Sequence, residues 1–296
     1  MTEEVRTALV HYWLVGMRGG ERVLEALCRL FPEADVYTNV YVPSAVSPVI
    51  NRHRVRTTFI QKLPFSSRLY QAYVPLMPAA LERLDLRGYG LVISSESGPA
   101  KNVIVDPDAL HLCYCHSPMC YLWDQASEYS EGASFLARAV IGSMSHLMRL
   151  SDVTSAARVD GFIANSRFVA SRIRKYWRRD AIVVPPPVDT RRFALNRSHS
   201  GYYLWLGRLV RYKRPDIAVD AFTKSGKPLI IAGDGPELRR LRAHAGKNVS
   251  FFGNASDESA TSLLEQCRAF LLTGTEDFGI APVEAMACGK PVIWPK

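Results

Sequence analysis

PPPVDTRRFALNRSHS, Pro185 to Ser200, is the stretch that divides this chain. Three consecutive prolines cannot continue a helix or a central strand, because each removes a backbone donor and fixes φ. On either side the sequence alternates short apolar runs with helical stretches. Before the break, strands are expected at Thr7–Val10, Ala34–Tyr41, Val55–Ile60, Leu91–Ser94, Leu110–Cys115, Gly161–Ala164 and Ala181–Val184. Helices are expected over Glu21–Leu30, over Ser134–Val159 and from Arg167. After it, strands restart at Tyr202–Leu206, Pro228–Ala232, Val249–Phe252, Phe270–Leu272 and Pro291–Trp294. Such alternation predicts parallel sheets covered by helices. The reading is therefore two α/β domains, residues 1–190 and 191–296, joined by the proline-rich linker. Ligands of open α/β sheets bind at the carboxyl ends of the strands. Two such edges would face a cleft, so the residues just after each strand are the ones to inspect.

Composition narrows the class. The 296 residues are 48% hydrophobic and 22% charged, as in a water-soluble globular protein. No apolar run approaches the ~20 residues of a membrane span. The start, MTEEVRTALV, is acidic and lacks an apolar signal core, so cytoplasm is the expected location. Net charge is +9, which favours anionic partners. The densest basic run, Arg172 to Asp180, reads by itself as a solvated helix face. No basic and aromatic pattern of a nucleic-acid module is present, so nucleic acid is not an expected partner. The six cysteines form no disulfide frame. In HLCYCHSPMC, Cys113 and Cys115 are separated by a single residue, unlike a zinc knuckle, and LHLCYC reads as a buried strand.

Three segments carry chemistry. GMRGG, Gly16 to Gly20, lies between the first strand and its helix, where free N–H groups accept an anion. Its spacing is not that of a dinucleotide loop, and a plain tight turn reads equally well. GRLVRYKRPD follows the first strand after the linker. Arg208 and Lys213 there form a pair of cations able to hold a diphosphate and neutralise it as a leaving group. TEDFGIAPVEAMACGKPVI, Thr275 to Ile293, sets Glu276 in a loop and Glu284 in the first turn of a helix over Pro282–Cys288. Two carboxylates around so small a turn suit neutral hydroxyls, as on a sugar or a ribose, better than a metal.

EDFGIAPVE, GRLVRYK, IAGDGPEL and CHSP together resemble the GT-B glycosyltransferases of family 4. The opening HYWLVGMRGGERVLEAL and CYCHSPMCYLWD are similar to bacterial mannosyltransferase-type members that build polysaccharides. The resemblance runs along nearly the whole chain and is most specific from Gly201 to Val292. It implies two Rossmann-like domains, an acceptor-side one and a donor-binding one. It also implies retaining transfer of a sugar, with GDP-mannose a candidate donor, to a lipid-linked saccharide or polysaccharide precursor, with no metal and no cofactor. By the same resemblance Arg208 and Lys213 bind the donor diphosphate and Glu276 contacts sugar hydroxyls. Glu284 holds the ribose, and Phe278, Gly279 and Ile280 supply backbone N–H groups. Gly19 and Gly20 border the phosphates, and His116 lies by the transferred sugar, a core histidine being the alternative. A nucleotide-sugar epimerase and an inactive binding-only fragment are the rival functions.

Two further expectations concern the membrane and the end of the chain. Lys62 to Leu84 mixes basic, aromatic and apolar residues. It reads either as an interior helix or as a segment meeting an anionic membrane at its inner face. Similar transferases continue past the position of Lys296 with further helices, the last of which crosses back onto the first domain. The expectation is therefore an incomplete second domain, with weak or absent transfer.

Overall fold

The structure, a computed structural model, describes residues 5–124 and 135–294. It divides into two compact units, Met1–Pro187 and Val188–Lys296. Ser134, where the sequence places a helix start, and Lys296 lie outside the described residues.

The first unit is built on seven parallel strands: β1 Thr7–His11, β2 Asp35–Thr38, β3 Val55–Thr57, β4 Leu91–Glu96, β5 Leu110–Cys115, β6 Gly161–Ala164 and β7 Ala181–Val183. Their order is β3-β2-β1-β4-β5-β6-β7, so the connection reverses direction between β1 and β4. β1 is buried along its whole length. Ala8 and Val10 pack into one helical layer and Leu9 into the other, as the two-residue period of a strand demands. This burial on both faces explains the near-continuous apolar run of TALVH.

Two expected strands are shorter than the sequence reading. Ala34–Tyr41 keeps only Asp35–Thr38, with Tyr41 reduced to an isolated bridge to Leu14. Val55–Ile60 turns after Thr57 into a 3-10 helix, Phe59–Lys62, whose start is capped by the Thr58 hydroxyl. Lys62 to Leu84 is not one interior helix. It is a series of short turns in which Met77, Ala80 and Leu81 are buried while Phe65, Leu69 and Leu76 are exposed.

A buried charge cluster ties this unit together. Lys101 has no solvent exposure, and its ammonium lies 3.3 Å from Glu96 Oε1 and in contact with Asp152 Oδ1. Trp123 and Trp177 each donate an indole N–H to Asp152 Oδ2 at 2.8 Å. The Trp177 ring also lies under the ammonium, 4.3 Å from its centroid. Burial, opposed by Lys101 and reinforced by Asp152, pushes the Glu96 carboxyl up to about 7. The cluster joins the end of β4 to the helices Phe135–Ala157 and Arg167–Trp177.

The second unit has five parallel strands: β8 Tyr203–Leu206, β9 Leu229–Ala232, β10 Val249–Gly253, β11 Ala269–Leu271 and β12 Val292–Ile293. Their order is β10-β9-β8-β11-β12, which places the reversal between β8 and β11. Leu204, Phe270, Ala232 and Leu264 form one core layer, and Trp205, Ile231 and Val219 the other.

Replacing Lys101 with Ala leaves two carboxylates buried without their cation. Loss of one partner from a buried ion pair costs about 3–5 kcal/mol. Urea unfolding of the Lys101→Ala variant should show a loss on that scale. A loss within about 0.5 kcal/mol, the range of an ordinary surface change, would mean that the cluster does not hold the unit together.

Candidate functional site

In the first unit, three neighbouring strands bring their carboxyl ends together at the reversal point. Register pairs His11 with Ser95 across β1 and β4, and Glu96 with Cys115 across β4 and β5. His116 follows directly, its backbone N–H donating to the Glu96 carbonyl at 2.7 Å. The Ser95 hydroxyl then stands between two imidazoles, 3.0 Å from His11 Nδ1 and 2.8 Å from His116 Nε2. On the far side of His11, Nε2 is 3.8 Å from Glu21 Oε1. The other Glu21 oxygen accepts the Arg18 backbone N–H at 3.0 Å, closing the start of the helix Gly19–Leu30.

Gly20 lies against this group. A Cβ there would stand 2.9 Å from Tyr12 Oη and 3.5 Å from His116 Nε2, so no larger residue fits without displacing the tyrosine. The structure therefore brings His116 and Gly20 together, with Gly19 at the helix start. His116 is half-buried rather than enclosed in the core. Burial, aided by His11, holds its imidazole down to about 3, so the ring is neutral at physiological pH. Burial likewise keeps the Tyr12 phenol protonated.

The loop that carries His116 is clamped by a residue whose sequence context reads as a solvated face. Arg172 is buried, and it donates to Ser117 Oγ at 2.7 Å, to the Pro118 carbonyl at 3.2 Å and to Asp124 Oδ1 at 2.8 Å. Arg179, from the same basic run, donates to the carbonyls of Ala156 and Val159. These two arginines satisfy protein oxygens rather than simply facing water.

In the second unit the candidate side chains follow β8 and β11, again at the reversal point. Arg208 is exposed. The residue before it approaches the lysine closely: a Cβ at Gly207 would stand 3.7 Å from Lys213 Nζ. Lys213 Nζ lies 2.8 Å from Glu276 Oε1. Trp205 Nε1 donates to Thr273 Oγ1 at 2.9 Å, and Thr273 Oγ1 donates to the Lys213 carbonyl at 3.0 Å, which fixes the loop holding that lysine. The loop after β11 rests directly on it: a Cβ at Gly274 would fall 2.5 Å from Lys213 Cα. Gly279 caps the helix Ile280–Ala287, and its Cβ position is 3.6 Å from Glu276 Cβ. Glu276, Lys213, Phe278, Gly279 and Ile280 thus cluster at one helix N-terminus. Glu284 is displaced from its expected place. The helix starts two residues earlier than Pro282, so Glu284 is half-buried in the second turn, beyond the reach of a capping role. Cations beside a helix N-terminus suit an anionic ligand.

Residues 17–192 match the family described as Glycosyltransferase Family 4, and residues 189–295 match Glycosyl transferases group 1. The chain belongs to glycosyltransferase family 4. It is 33% identical over 157 residues to O-antigen chain mannosyltransferase C of Escherichia coli, a match covering 46% of this chain and 42% of that protein. It is 30% identical over 162 residues to a GDP-mannose-dependent α-(1-6)-phosphatidylinositol dimannoside mannosyltransferase of Mycobacterium tuberculosis, covering 48% and 42%. In each case the match thus spans 42% of the relative's length. Among solved structures, Anabaena HepE in complex with UDP and glucose superposes with a TM-score of 0.66 at 17% identity, over 98% of this chain and 80% of that one. AviGT4, involved in avilamycin A biosynthesis, gives 0.57 at 17%, over 98% and 79%. The fold of this family member is GT-B.

Sequence reasoning missed His11, Ser95, Glu21 and Tyr12. His11, Tyr12 and Glu21 lie within HYWLVGMRGGERVLEAL, but nothing in that stretch singles them out, and their grouping with Ser95 appears only once the strand register and the helix start are known. Arg172→Leu removes three hydrogen bonds from a charged donor, each worth about 1.5–3 kcal/mol. Amide exchange over residues 116–124 should then accelerate by roughly tenfold or more, tenfold being about 1.4 kcal/mol. Unchanged protection would show that the loop is held by other contacts.

Proposed function

We propose that this family member transfers a sugar from a nucleotide-diphosphate donor to a saccharide or lipid-linked acceptor, with retention at the anomeric carbon and without a metal. The observation that carries the reading is the Lys213–Glu276 pair at the N-terminus of the helix Ile280–Ala287, with Arg208 exposed next in sequence to Gly207, whose Cβ position is 3.7 Å from Lys213 Nζ. Cleavage of a sugar–phosphate bond passes through an oxocarbenium-like state and leaves charge on the diphosphate. Arg208, Lys213 and the N–H groups of Phe278, Gly279 and Ile280 stabilise that charge where it develops. Glu276 accepts hydrogen bonds from sugar hydroxyls and Glu284 from the ribose. In the first unit, His116 binds the transferred sugar and the Gly19–Gly20 turn borders a phosphate.

Lys213 and Glu276 change partners as the donor binds. Lys213 gives up part of its interaction with the carboxylate when a diphosphate arrives, which releases Glu276 for a neutral hydroxyl. The two side chains are only 22% and 25% exposed, so the exchange depends on the diphosphate replacing the carboxylate's charge beside Lys213. The relatives' names direct the first donor tests to GDP-mannose, and the HepE complex directs the next to UDP-glucose.

The acceptor side is proposed to meet an anionic membrane at the cytoplasmic face. No helix among the described residues is long and apolar enough to cross a membrane. Phe65, Leu69 and Leu76 are exposed in a segment that also carries Lys62, Arg68 and Arg83. The helix Phe135–Ala157 runs beside it, since Val74 packs on the cluster containing Met148 and Arg158 pairs with Glu82 at 2.9 Å. That helix exposes Leu147 and Leu150. Apolar side chains among cations fit an anionic surface, where each basic residue contributes about 1 kcal/mol.

Arg208→Ala and Lys213→Ala are each expected to lower kcat/KM by roughly 10²-fold, the scale of one lost charge-stabilising donor. Steady-state assays with the two donors check this, and unaltered kinetics in both variants would remove the diphosphate assignment. Flotation with anionic vesicles should exceed that with neutral ones and fall with added salt. Equal flotation with the two lipids would count against the membrane surface.

A further inference from the structure

The hydrogen-bond chain beneath His116 has a direction, and that direction decides what the histidine offers a substrate. We propose that His11 and Ser95 are positioning residues that hold His116 in one tautomer, with the proton on Nε2 and Nδ1 presented as a hydrogen-bond acceptor toward a substrate hydroxyl. The chemical class of the ligand group follows: a donor O–H, as on a sugar, rather than a phosphate oxygen. This rests on the proposed transferase reading only for the identity of that hydroxyl.

Proton positions can be followed from one ring to the other. His11 is fully buried, and its Nε2 has no hydrogen-bond partner among the described residues, the Glu21 carboxylate standing 3.8 Å away. In a neutral imidazole one nitrogen donates and the other accepts. A carboxylate facing Nε2 draws the proton there, because a lone pair would face a negative charge. His11 Nδ1 is then an acceptor, and the Ser95 hydroxyl 3.0 Å away donates to it. A serine hydroxyl has one proton, so toward His116 its oxygen can only accept. His116 Nε2, 2.8 Å away, must be the N–H. The proton being there, Nδ1 of His116 carries a lone pair. The neutrality of the His116 ring, held down by burial, is what makes the two nitrogens distinct.

The ring is also fixed in place. The His116 backbone N–H is held by the Glu96 carbonyl at 2.7 Å and its carbonyl by Asn165 Nδ2 at 2.8 Å. On the Nε2 side, Gly20 packs closely against the ring and against Tyr12. A protonated His11 would reverse the chain: Nδ1–H would donate to Ser95, Ser95 to His116 Nε2, and His116 Nδ1 would become a donor. The two polarities give opposite spectra.

The test is imidazole nitrogen NMR on the whole chain with 15N-labelled histidine. The His116 signals are assigned by their absence in His116→Gln. The expected result is a pyrrole-type Nε2 and a pyridine-type Nδ1 for His116 in the wild type. In Ser95→Ala the two signals should move toward each other as the tautomers mix, while Ser95→Thr, which keeps the hydroxyl, should restore the wild-type pattern. A proton on Nδ1 in the wild type, or an unchanged His116 tautomer in a folded Ser95→Ala, overturns the proposal. Should Ser95→Ala not fold, the wild-type spectrum and the Ser95→Thr spectrum still decide it. Kinetics give the second readout: Ser95→Ala is expected to lower kcat by roughly tenfold, about 1.4 kcal/mol and the scale of one misdirected hydrogen bond, at little change in donor KM. Absence of turnover with every donor tested would count against the transferase reading and leave the NMR result standing.

Discussion

The Lys101 ammonium is enclosed between Glu96 and Asp152, and much of the first unit's site depends on where it sits. An unpaired ammonium in such a place would be intolerable, so the two carboxylates must be brought to it. Bringing Asp152 commits the long helix Phe135–Ala157, and its second oxygen commits Trp123 and Trp177. Bringing Glu96 fixes the end of β4. The carbonyl of that same Glu96 holds the His116 N–H, and Ser95 stands one residue earlier. A charge cluster outside the proposed substrate contacts therefore sets the level at which the polar side chains of the site emerge from the sheet.

Both units use the same arrangement. In each sheet the connection reverses at one point, between β1 and β4 and between β8 and β11, and the polar side chains gather there. The loops diverge on either side of such a point and leave an opening that the strand ends line. The chemistry differs between the two. The first unit offers a neutral hydrogen-bonding imidazole above a fully buried strand layer. The second offers exposed or partly exposed charge, with Arg208, Lys213 and Glu276 close to water. A neutral, pre-aligned ring suits the hydroxyl recognition proposed for it, and cations at or near the surface suit the charged leaving group proposed for the second unit.

Arg172 illustrates how a local reading fails. In RIRKYWRRD it is one cation of several, and charge runs usually face water. In the helix Arg167–Trp177 it falls on the side turned to the loop after β5, where a guanidinium's planar array of donors can satisfy a hydroxyl, a carbonyl and a carboxylate together. Nothing in the run itself distinguishes Arg172 from Arg174, which instead pairs at the surface with Asp180.

Features with local causes are legible along the chain. The prolines of Pro185–Pro187 end one periodic pattern, and the apolar runs mark the strands because parallel strands are buried on both faces. The segments GRLVRYK and EDFGIAPVE announce cations and carboxylates because those residues lie close together in sequence. The ends of Ala34–Tyr41 and the start of the helix carrying Glu284 escape such a reading, since capping and pairing decide them. The His11–Ser95–His116 chain and the Lys101 cluster exist only in three dimensions. Their members are 84, 21, 5 and 51 residues apart in sequence. The hydrogen bonds of about 3 Å in the His11–Ser95–His116 chain form only when parallel register places one strand end beside another, and the Lys101–Asp152 contact only when the helix Phe135–Ala157 packs over the end of β4; both are set by the packing of whole faces rather than by any single residue.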